Sequence, residues 1–432
     1  MEKSVVIGAP AGFENSSQTK YTIIIGMLFF VFGFVSWVNA VLIPYFKLAC
    51  QLTIQQAMLV AFAFYVSYFI MAFPSSYIIK RTGYKNGMVL GLWIMASGSL
   101  IFIPAAMHRV YGLFLAGLFV QATGLTLLQT AANPYITILG PIDSAAMRMS
   151  VMGVCNKVAG AIAPLLLLGA ISKDPDEIDR LVAMLPNLSA PEQVRLLDDL
   201  AARLIVPYVI LSVTLLVLGI LIRFASLPDI ADEDINAEPA STEKTSIFQF
   251  PYLLLGAVAI FFGSTVEVLA VDSIINYGEF QGATFKEAKF FSTYTLLIMI
   301  VSYIIGIFTI PRWINQRKAL LFSSVIGIVF TMIAVMSDGK ASLWMIAMLG
   351  LGNALIWPAI WPLAMDGLGK FTKTGSALLI MGLIGAALSP LVYGGLSDRY
   401  NPQIAYLVLI PSYLFLLYYS VSGYKVGKSR QG

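Results

Sequence analysis

The chain has 432 residues, of which 58% are hydrophobic and 12% charged, with a net charge of +4. Soluble proteins carry about 25% charged residues, and a mean hydropathy of +0.83 places this chain in a membrane. The modest charge gives no ground for a nucleic-acid partner. Two distant cysteines, Cys50 and Cys155, set no disulfide framework, and the lone histidine, His108, leaves no His/Cys cluster for a metal or haem. No phosphate-binding glycine loop is present, which argues against ATP-driven pumping.

In chain order, residues 1–20 are polar and lack the charged start, apolar run and cleavage site of a signal peptide. They read as a cytoplasmic tail. Apolar runs long enough for helices, about 20 residues each, centre near Val35, Val66, Met95, Leu125, Ala159 and Thr214, then near Phe262, Ile300, Ile328, Ile356, Leu383 and Tyr413. The alternation expected of barrel strands is absent. The expected fold class is an all-α membrane protein with twelve transmembrane helices in two six-helix bundles, 21–226 and 250–422. The acidic, Pro-containing stretch 227–249 reads as a cytoplasmic linker, and 423–432 as a cytoplasmic tail. A second long connection, 172–203, holds two short amphipathic stretches between polar turns; its role is open. Lys and Arg in "KRTGYK", "RWINQRK" and "KVGKSR" set both termini inside. A multi-pass protein of a bacterial inner membrane is expected, its partners the lipid bilayer and a small molecule. A monomer fits, though oligomeric state is not legible.

The halves resemble one another. "VAGAIAPLLLLGAI" (158–171) runs parallel to "LIGAALSPLVYGGL" (383–396), with Gly160 and Gly169 in step with Gly385 and Gly394. Repeats of this kind mark carriers whose halves rock about a central site.

Polar residues inside a span are costly and face the protein interior, so they mark candidate function. Span one carries Trp37 and Asn39; span four carries Gln129 and Asn133 on one face, with Gln121 earlier. Pro134 frees a backbone carbonyl one turn before it. Span five holds Asn156 and Lys157, span seven Glu267 and Asp272, followed by Asn276 and Tyr277, and span ten Asn353, Trp357 and Trp361. Amides both donate and accept, as sugar hydroxyls do, and indole faces pack against a pyranose. The substrate-binding candidates are therefore Trp37, Asn39, Gln129, Asn133, Asn156, Asn353, Trp357 and Trp361. The plainer reading makes the amides interhelical ties and the tryptophans packing or interface anchors. Glu267 resists a plain reading, because a mid-span carboxylate costs about 2.5–3.5 kcal/mol unless paired or neutralised. Glu267, then Asp272, with Lys157 as counter-ion, are the candidates for cation coupling. No nucleophile–base pair or resident metal set is visible, so no enzyme and no cofactor is expected.

Four stretches carry a family resemblance: "LLQTAANPYITILGP", "LIPYFK", "QQAMLVAFAFYVSYFIMAFPSS" and "DGLGKFTKTGSALL". They resemble the fucose–galactose–glucose branch of the major facilitator superfamily, over a length from about Tyr21 to the end of span twelve. The superfamily loop after span two survives in part, as Arg81, Gly83 and Lys85, with Lys80 where an acid is usual. The resemblance implies alternating access and sugar–cation symport, usually with protons. In the fucose member an Asp stands at the position of Ala40 and a Glu at that of Gln129, and the Glu carries the coupled proton. Asn156 is retained. Glucose/galactose members have an acid at the position of Glu267. The expectation is a hexose importer coupled to H+ or Na+, with Glu267 protonated or binding Na+. Glucose, galactose, mannose and N-acetylglucosamine all remain open. A facilitative uniporter is the alternative, given Ala40 and Gln129; a carrier-derived sugar sensor is the less favoured one.

Overall fold

In lipid the backbone must satisfy its own hydrogen bonds, which favours continuous helices. The computed structural model describes residues 15–428 apart from 53, 140, 172–176, 226, 228–244 and 284. The side chains of Asn39, Ala40 and Asn276 also lie outside the described residues, as do most of the expected linker and residues 1–14.

In the first half, α1 is Asn15–Ala49 and α2 is Ile54–Met107. The latter is two crossings joined at Gly83, whose φ of 80° breaks the helix where the chain must reverse. Spans four and five are α3 (Tyr111–Ile138) and α4 (Ala145–Ile171). Two short helices, α5 (Glu177–Met184) and α6 (Ala190–Ala202), precede span six, α7 (Ile205–Phe224). In the second half, α8 (Pro251–Asp272) continues after a break as α9 (Ile274–Phe280). Spans eight and nine are α10 (Phe285–Thr309) and α11 (Gln316–Met336). Span ten is divided into α12 (Gly339–Asn353) and α13 (Ile356–Met365), and span eleven into α14 (Thr372–Met381) and α15 (Ile384–Arg399). The short α16 (Pro402–Ala405) leads into α17 (Leu409–Val421). Among the described residues the crossings number twelve, six in each half.

The repeat has a packing reason. A Cβ on Gly160 would lie 2.5 Å from Cδ1 of Trp37, so span five can lie against span one only without a side chain there. Gly385 plays the same part in the second half, where a Cβ would collide with the carbonyl of Phe261 and sit 2.7 Å from Oγ of Ser264 on span seven. Gly169 and Gly394 have nothing within 4 Å, so close approach does not explain that second match.

The described part of the second connection, 177–203, is pinned to the first half, at the end of the bundle away from the chain termini. Arg203 bonds the carbonyl of Ile171 at 3.0 Å and pairs with Glu177 at 3.0 Å. Arg109 pairs with Asp198 at 3.1 Å, and the hydroxyl of Tyr45 donates to the carbonyl of Leu200. The halves meet along α4 with α10 and α13, and along α2 and α3 with α14. Toward the termini side, Ser376 Oγ donates to the carbonyl of Thr130 at 2.9 Å, and the amide of Ala146 donates to Gln316 Oε1 at 3.3 Å. Both bonds tie one half to the other, so the bundle is closed on the side of its termini.

Candidate functional site

Spans one, five and seven bring the central group together. The Trp37 indole donates from Nε1 to Asn156 Oδ1 at 3.3 Å. The next residue, Lys157, places its ammonium 4.3 Å from the Trp37 ring centroid, a cation–π contact. The same ammonium forms an ion pair with Glu267, across the two halves of the molecule. The Lys157 side chain is only 4% exposed and that of Glu267 23%, so the carboxylate is the more accessible partner. Burial of the ammonium is tolerable because a carboxylate and an indole face replace its water.

Asp272 lies five residues along α8, at its end and exposed, and interacts electrostatically with both Lys157 and Glu267. The group thus holds one cation and two carboxylates. Tyr65 lies within electrostatic reach of both carboxylates and Tyr303 within reach of Glu267. Beside them, Gln129 Nε2 donates to the Tyr68 hydroxyl at 3.2 Å, and Tyr68 also bonds Ser36. Tyr65, Tyr68 and Tyr303 escaped the sequence reading, because a tyrosine in an apolar helix reads as packing. A usable signal was present in "FYVSYF", where Tyr65 and Tyr68 recur three residues apart on one helix face.

The other candidates divide. Trp357 is half-buried and stacks on the fully buried Trp361, with ring centroids 5.2 Å apart. The amide of Asn353 is bonded at both atoms: Nδ2 donates to the carbonyl of Val266 at 2.9 Å and Oδ1 accepts from Tyr413 at 2.6 Å. It fixes the α8 backbone one residue before Glu267. Gln121 ties α3 to α2 through Ser99 at 2.9 Å. Asn133 is buried. Among the described residues, no three His, Cys, Asp or Glu side chains cluster as a metal site would need. A groove of about 620 Å³ between α1, α4 and α7 is lined by residues such as Phe30, Phe34, Met152 and Leu211. Its apolar walls suit lipid chains and offer nothing to a polar solute.

The arrangement is that of a membrane carrier: two helical halves, a polar centre between them, and a closure on one side. A sequence profile of the Major Facilitator Superfamily matches residues 25–390. The chain is 34% identical to a glucose/galactose transporter of Brucella abortus, over 98% of this chain and 100% of that one. It is 29% identical to the L-fucose-proton symporter of Escherichia coli, over 90% of this chain and 89% of the relative. The crystal structure of a Major Facilitator Superfamily transporter, FucP, in the outward conformation superposes with a TM-score of 0.79 at 26% identity, covering 93% of this chain and 98% of that one. The chain belongs to the Major Facilitator Superfamily, in the branch of the glucose/galactose transporters and fucose–proton symporters. It is a multi-pass membrane protein of a carrier class, not an enzyme.

Proposed function

We propose that this protein imports a hexose of the glucose/galactose type, with a proton or Na+ moving in the same direction. Both termini then lie in the cytoplasm, and the open side faces outward. The observation that carries the reading is the ion pair between Lys157 and Glu267, joining the two halves beside Trp37 and Asn156. Trp37 and Trp357 offer aromatic faces, and Gln129 and Asn156 offer amides, to a neutral sugar. Asn39 stays in this set on sequence grounds. Asn353 acts by holding the backbone beside Glu267. With one ammonium and two carboxylates the centre carries one negative charge in excess, and one proton or one Na+ makes it neutral. A neutral centre crosses between the two access states at lower cost than a charged one. The names of the relatives support a sugar as substrate, and the fucose–proton symporter supports H+ as the ion.

One observation favours a facilitative uniporter as a second reading. Lys157 already neutralises Glu267, and the acids of the fucose member are replaced by Ala40 and Gln129. Glu267→Gln separates the two. Under symport the variant loses gradient-driven accumulation and keeps sugar exchange, measured in proteoliposomes with labelled glucose. Accumulation unchanged from wild type sinks the coupling role of Glu267.

A further inference from the structure

Pro134 has no amide hydrogen, so the carbonyl of Thr130, four residues earlier, lacks its usual helical donor. That carbonyl is not left idle. Ser376, on α14 of the other half, donates to it at 2.9 Å in a buried contact. A defect in one half is thus an acceptor for the other.

Asn133 follows Thr130 by three residues and shares its face of α3. It is 1% exposed, and neither Oδ1 nor Nδ2 has a partner among the described residues. Leaving such a group unpaired costs about 1–3 kcal/mol. Most other polar side chains of this helix are engaged: the hydroxyls of Thr126, Thr130 and Thr137 bond carbonyls of their own helix, and Gln121 bonds Ser99, whereas the buried Thr123 hydroxyl shares the unpaired state of Asn133. On α14, three residues from Ser376 toward the termini side, stands Lys373. It is 7% exposed, with its ammonium 5.3 Å from the ring of Tyr84 in the first half. The two helices run antiparallel, so Asn133 and Lys373 fall at one depth below the Ser376–Thr130 bond.

We propose that this α3–α14 seam is a second sugar subsite, shut in the present form and used as the sugar leaves toward the termini side. When the halves part there, the Ser376–Thr130 bond breaks. The seam then presents a carbonyl acceptor, a hydroxyl, an ammonium donor, and an amide able to donate and accept at once. These groups match a polyhydroxyl ligand, and the energy lost in burying Asn133 unpaired is recovered on opening. The inference rests on the hexose reading above and assigns Asn133 to the exit rather than to the central site.

The test uses the full-length protein in proteoliposomes of known orientation, with labelled D-glucose and D-galactose, and KM measured separately from each side. Asn133→Ala is expected to raise the termini-side KM about tenfold, the loss of one to two hydrogen bonds, and to leave the opposite KM within twofold. An equal rise on both sides returns Asn133 to the central site and overturns the proposal. No change on either side reduces Asn133 to packing and overturns it too. Should Asn133→Ala fail to fold, Ser376→Ala carries the test. It is expected to raise the termini-side KM severalfold, with Ser376→Thr restoring it; an unchanged value overturns the proposal. A wild-type protein that moves neither sugar refutes the transport reading itself. A transporting wild type whose variants show no sidedness refutes the subsite alone.

Discussion

At the scale of single residues, Lys157 and Glu267 form a largely buried ion pair that joins the two halves. Each would be expensive alone within a span; together they leave a neutral pair with the ammonium almost fully covered. Lys157→Met strands Glu267 without its cation, and loss of one partner from a buried pair costs about 3–5 kcal/mol. The double variant Lys157→Met with Glu267→Gln removes the stranded charge. Equilibrium unfolding in detergent should therefore show the double variant more stable than Lys157→Met alone. A double variant whose loss equals the sum of the two single losses would contradict pairing as the source of stability. The sequence displayed these residues because charges stand out against apolar runs. It did not display Tyr65 and Tyr303 near them, since only the packed bundle distinguishes a tyrosine close to carboxylates from one that fills space.

At the scale of helices, the glycines of spans five and eleven set how closely each half packs. Gly160→Val puts a branched side chain where a single Cβ already lies 2.5 Å from the Trp37 ring. Overpacking of this kind costs about 1–3 kcal/mol. It would also move Trp37 away from Asn156 and Lys157, so glucose affinity should fall together with thermal stability. Wild-type affinity in a stable Gly160→Val protein would show that Trp37 is not a contact. The twelve spans were legible in the sequence because hydropathy and length are local properties. The Gly160/Gly385 match was legible as a repeat and has the same packing cause in both halves, whereas the Gly169/Gly394 match has no close neighbour in either. The breaks inside spans ten and eleven, and the anchoring of α5 and α6 on the first half, depend on contacts between distant segments. Pattern reading does not reach those. Pro134 stands between the two cases: the sequence marks the freed carbonyl, and only the assembled halves show that Ser376 takes it up.

At the scale of the whole molecule, the structure is a carrier closed on the side of its termini, with Asp272 exposed beside the interhelical ion pair. Under the proposed symport, the surplus negative charge would give an incoming cation a place, and its neutralisation would give the sugar-loaded carrier a reason to turn over. In that reading, with Ala40 and Gln129 unable to carry a proton, the task would fall to the carboxylates of span seven. The most direct measurement is labelled-glucose uptake into proteoliposomes under an inward proton gradient, under an inward Na+ gradient at equal pH, and under no gradient. The account predicts accumulation above equilibrium with one of the two cations and simple equilibration without a gradient. Equilibration to the same level in all three conditions would contradict it and make the protein a uniporter.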